Sequence, residues 1–156
     1  MRHAGRTIVA ALIAGAATAA VALFSAFRLS DAPIRGRLGG PDPIGSLASL
    51  VAIAVALVAF FALGRAIGSD TTTARPAIVS GLLGGALAGL IASVAQSFAL
   101  SDYLGAVLAG YAVPPEFLTI ALGAYVVLAT IGASVIAAAI TYAGWYRSRP
   151  GDQPTG

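Results

Sequence analysis

Residues 77–100 read AIVSGLLGGALAGLIASVAQSFAL, an uninterrupted run without a single charge. As a helix this run spans about 36 Å, more than the roughly 30 Å of a bilayer's hydrocarbon core. Gly81, Gly85, Gly89, Ser93 and Ser97 fall every four residues and form a ridge along one side of that helix. In lipid, small residues at this spacing let a second helix approach backbone to backbone. The run therefore predicts a transmembrane helix at the centre of a bundle. The ridge would receive either another helix of the same chain or, in a homo-oligomer, its counterpart in a second copy.

The rest of the composition supports a membrane class. Of 156 residues, 58% are hydrophobic and 10% charged. A soluble domain carries about 25% charged residues, so a polar coat is missing here. Three further apolar blocks, 7–27, 44–67 and 117–143, are each long enough to span. The expected fold is all-α: a polytopic bundle of four transmembrane helices in one membrane domain. The first block follows Arg2, His3 and Arg6 as a signal peptide would, but it exceeds the 7–15 residues of a signal core. It reads as a retained helix.

The connections carry their own signals. Residues 28–43 are rich in Gly and Pro and read as a polar loop. Residues 68–76 make a short link that ends in Pro76, and Pro114, Pro115 and Glu116 prepare the last helix. Residues 101–113 are too short to span. With Ser101 as N-cap and Leu104, Val107, Leu108 and Tyr111 on one face, they read as a helix lying in the interface or as a re-entrant element. Tyr142, Trp145 and Tyr146 make an aromatic belt, and 147–156 a polar tail.

All nine basic residues are arginine. Four spans put Arg2, Arg6, Arg65, Arg75, Arg147 and Arg149 on one side, and Arg28, Arg35 and Arg37 on the other. The excess places both termini in the cytoplasm of a cell-membrane protein. Arginines confined to segment ends are topology signals, and no basic stripe with interleaved aromatics marks nucleic-acid binding.

The two halves also align. Arg6, Ile8, Val9, Leu12, Gly15, Ala16 and Ala22 match Arg75, Ile78, Val79, Leu82, Gly85, Ala86 and Ala92 with a one-residue gap, and a Leu-Ser-Asp follows each set. A 2+2 tandem repeat of helix pairs and the chance alignment of Ala/Gly-rich helices both account for this.

Reactive chemistry finds little support. There is no cysteine and one histidine, His3, outside the spans; no cofactor or metal site is expected. No HExxH, GxSxG, Walker A or GxGxxG context appears. Asp31, Asp42, Asp70, Asp102 and Glu116 flank helices instead of lying within them. Small multidrug exporters share the size and span number, but they resemble transporters with a carboxylate in the first span, which 7–27 lack.

Uncharged polarity remains. Ser93, Gln96 and Ser97 share a face. Ser49, Ser46, Ser25 and Tyr125 lie at similar depth, which suggests a shallow outward pocket around Gln96. The alternative is that these groups bond across helices. Thr130, Ser134 and Thr141 form a seam on the last helix, and Ala14, Thr18, Ala22 and Ser25 a small-residue side on the first. The leading expectation is a non-enzymatic scaffold or assembly subunit that binds lipid, and a second copy or another membrane protein. The other is a transporter or channel component for a neutral or weakly polar solute.

The absence of native cysteine makes the topology directly testable. Ser30→Cys should react with an impermeant thiol reagent on intact cells, and Thr72→Cys only after the membrane is opened.

Overall fold

The computed structural model describes residues 2–30, 43–111 and 114–148. It is all-helical: α1 (Arg2–Ser30), α2 (Pro43–Gly68), α3 (Arg75–Gly110) and α4 (Pro115–Arg147). Each helix contains a window long and apolar enough to cross a membrane. Residues 31–42, with Asp31, Arg35, Arg37 and Asp42, and residues 149–156 of the tail lie outside the described residues.

The helix starts follow from proline chemistry. Pro43, Pro76 and Pro115 sit in first turns, where the missing N–H has no intrahelical partner to lose. Pro114 precedes α4 in an extended conformation (φ −59°, ψ 141°). Glu116 in the first turn of α4 and Arg65 and Arg147 in last turns complement the partial charges of the helix ends.

Residues 101–110 depart from expectation. They are the last turns of α3, which runs 36 residues without a break, about 54 Å. Ser101 is not an N-cap; its hydroxyl donates to the Phe98 carbonyl at 2.9 Å, inside the helix. No proline lies between Leu100 and Gly110, so the backbone ladder continues past the end of the apolar window at Phe98. Helix formation needs only unbroken backbone pairing, whereas hydropathy reports only where hydrocarbon ends. The chain turns at Tyr111, whose N–H donates to Leu108 O at 3.0 Å.

The helices form a ring in the order α1, α2, α4, α3. α3 packs on α4 and α1, and α2 packs on α4 and α1. α2 and α3 barely meet, and α1 does not touch α4 among the described residues. The ridge of α3 lies against α4 of the same chain. A Cβ at Gly81 would stand 2.5 Å from Ala138 Cα, one at Gly85 2.6 Å from Ala133 O, and one at Gly89 2.7 Å from Ala133 Cβ. The ridge is thus filled within the chain and leaves no room there for a second copy. The residues opposite it, Thr130, Ala133, Ser134, Ala137 and Ala138, include most of the small-residue seam expected on the last span.

A second close approach joins α2 to α4 near their C-terminal ends. Gly64 lies against Thr141 O, and Gly144 against Phe61 O, with Arg65 N 3.1 Å from a Cβ at Gly144. α1 buries Thr7, Ala10, Ala11, Ala14 and Gly15 on one side and meets α3 at Thr7, whose Cγ2 would lie 3.2 Å from a Cβ at Gly84. A Cβ at Gly15 would lie 3.3 Å from Ala88 Cα. The sequence-aligned glycines therefore face different partners: Gly15 faces α3, and Gly85 faces α4. A two-fold axis along the bundle would also set α1 diagonal to α3, but here they are neighbours. The two hairpins are not packed equivalently.

Replacing Gly85 by Leu should lower stability by about 1–3 kcal/mol or more through overpacking against α4. Gly132→Ala, whose Cβ meets nothing within 4 Å, should leave stability unchanged or raise it. Thermal unfolding of both variants in detergent checks the contrast.

Candidate functional site

Where the small-residue faces of α1, α3 and α4 converge with α2, they do not fill the space. A cavity of about 200 Å³ lies at the bundle centre and is lined from every helix: Ala14 and Thr18 from α1, Ile53 to Phe60 from α2, Gly85 to Ala92 from α3, and Ala133 to Ile140 from α4. Its wall exposes no polar surface. Thr18, the one hydroxyl there, donates to its own helix, to Ala14 O at 2.9 Å and Gly15 O at 3.0 Å. Such a space has no partners for water and stays dry. Left empty, such a space forfeits dispersion contacts between its walls. A second apolar groove, about 330 Å³, runs between α1 and α2 and is lined by Ala17, Val21, Leu47 and Val51 among others.

The expected polar pocket is distributed differently. Gln96 and Tyr125 do come together: the Tyr125 hydroxyl donates to Gln96 Oε1 at 2.6 Å, bridging α3 and α4. Both side chains are exposed on the outer surface of the bundle. Ser93 is 2% exposed and donates to Leu90 O at 3.3 Å. The Ser97 hydroxyl is buried without a hydrogen-bond partner, as is that of Thr130. Ser49 is exposed on α2. The side chains of Ser25 and Ser46 lie outside the described residues. Gln96, Tyr125, Ser93, Ser97 and Ser49 do not line the central cavity.

The small hydroxyls bond back along their own helices instead of across to neighbours. Ser134 donates to Thr130 O and Thr141 to Ala137 O, both at 2.7 Å. A carbonyl one turn back lets these residues do without a tertiary partner in an apolar bundle, whereas Ser97 and Thr130 do not use theirs.

Polar contacts between elements gather at the end where the α2–α3 link lies. Arg6 Nη1 donates to Asp70 Oδ2 at 3.0 Å and to Ala66 O at 3.3 Å, which ties α1 to the link. Trp145 is 1% exposed, and its indole N–H donates to Thr71 O at 3.2 Å. The aromatic belt loses this member. Trp145 packs inward with Ile67 and Ala77, whereas Tyr142 and Tyr146 stay exposed and stack at 6.4 Å. Helical phase is the reason: Trp145 follows Gly144 on the side that closes on α2, and the buried indole needs an acceptor that the link supplies.

No family model, curated protein or solved structure matches this chain. Among the described residues, no group of three or more His, Cys, Asp or Glu side chains could hold a metal ion. The cavity residues are what sequence reading missed. Ala56, Phe60, Ala88 and Ile136 look like any apolar position, and a void between helices has no sequence pattern. The only available signal was the coincidence of small faces on α1, α3 and α4.

Trp145→Ala should lower stability by about 3–5 kcal/mol. Asp70→Asn should cost under about 1 kcal/mol, since its ion pair with Arg6 is half exposed. Denaturant melts in detergent separate the two.

Proposed function

We propose that this chain is a multi-pass cell-membrane protein, with both termini cytoplasmic, that serves as a non-enzymatic scaffold or subunit of a membrane assembly. The observation that carries this reading is the apolar wall of the central cavity, outside which the buried hydroxyls of Ser93, Ser97, Thr130 and Thr141 lie. The helices meet through backbone-close seams, and the cavity lined by all four helices offers no polar surface among the described residues. A path for water or a polar solute needs polar groups along it. The most polar pair of the spans, Gln96 and Tyr125, is satisfied internally at the outer surface. Lipid is the first partner in this reading. Exposed Val127, Leu128, Ile131 and Val135 on α4 present the broad apolar face that lipid, a second copy or another membrane protein would cover.

The second reading, a transporter or channel component for a neutral solute, draws on the same Gln96 layer. One substitution separates the two. In membrane vesicles of both orientations, Gln96→Cys should stay unreactive toward a small aqueous thiol reagent while Thr72→Cys reacts from one side. Rapid reaction at residue 96 would replace the scaffold reading with a solute path.

A further inference from the structure

The central cavity has a mouth, and the mouth has a direction. Ile53 and Leu57 on α2 and Ile136 on α4 line the cavity and are 51%, 37% and 58% exposed, whereas Ala88 at its floor is 7% exposed. The opening therefore lies between α2 and α4. Their close backbone contacts, through Gly64 and Gly144, sit nearer their C-terminal ends than the opening does. Ile53, Leu57, Ala88 and Ile136 fall well inside the apolar windows of their helices. On the membrane reading above, on which this inference rests, the mouth opens sideways into hydrocarbon rather than into water.

We infer that this lateral cavity is a binding site for a lipid hydrocarbon chain. Its apolar wall gives a headgroup, an ion or water nothing to bond. At about 200 Å³ it cannot admit a partner helix, which is some 10 Å across. A flexible chain already lying at the mouth can enter end-on without leaving an apolar medium. By filling the void it regains the dispersion contacts that the bare walls forgo. The site would thus hold one acyl tail against the α3 floor and make a bound lipid part of the bundle's packing.

The test uses the full chain in vesicles of a phosphatidylcholine that carries a diazirine partway along one acyl tail. After illumination, attachment sites are mapped by mass spectrometry. Labelling is expected at Ala88, which is shielded from the outer surface, as well as at lipid-facing Val127 and Leu128. Ala56→Leu and Ala92→Leu each fill the cavity from a different helix. They should lose the Ala88 label, retain the outer labels and melt no lower than the parent. Outer labels without any at Ala88, or an Ala88 label that survives both substitutions, would overturn the site. Unfolding of both variants would also overturn it, since the space would not be there to fill. Absence of label from Val127 and Leu128 as well would instead overturn the membrane reading itself.

Discussion

The backbone-to-backbone approach of α3 and α4 is the constraint on which the other contacts depend. Gly81, Gly85 and Gly89 give the ridge no side chains, so Ala133, Ala137 and Ala138 reach the α3 backbone. In a membrane, where lipid would supply no hydrophobic drive between helices, such close van der Waals contact takes its place. With α4 held so near α3, its other side is free to close on α2 through Gly64 and Gly144. That second contact in turn brings Trp145 to the Thr71 carbonyl and buries it. A single bulky residue on the ridge would therefore disturb both seams and the capped end.

The same economy of side chain explains the cavity. Alanine and glycine let two helices touch, but where three such faces converge with α2 there is not enough volume to fill the middle. α1 does not reach α4, and α2 meets α3 only slightly. The diagonals of the ring stay open, and Ala14, Ala88 and Ala137 face each other across a gap. Tight seams and an underfilled centre thus have one cause. Its wall offers water nothing to bond, because the Thr18 hydroxyl is turned back to its own helix.

Polar groups divide by location. Within the apolar windows, Ser93, Ser134 and Thr141 are satisfied by carbonyls of their own turns and add little between helices. At the end near the α2–α3 link, long-range bonds appear: Arg6 to Asp70 and Trp145 to Thr71. The link supplies acceptors that a helix interior has already used. The Gln96–Tyr125 bond apart, the bundle is accordingly held by shape along its length and by directed polar contacts at this end.

Helix number, apolar windows and the small-residue ridge were all legible from residues 77–100 and their neighbours, because they depend on local composition and on a period of four. Helix ends past the apolar windows were less legible. Residues 101–110 continue α3 because backbone pairing runs on where hydropathy falls. Which faces meet was beyond the sequence. The ridge could have received a second copy, and Trp145 could have faced lipid; both were decided by how α4 seats between α3 and α2. Likewise, Gln96 and Tyr125 were recognisable as polar, but only the tertiary structure pairs them on the outer surface rather than around a central pocket. A sequence determines what each helix can present, while pairing and empty space belong to several helices at once and exist only when all are in place.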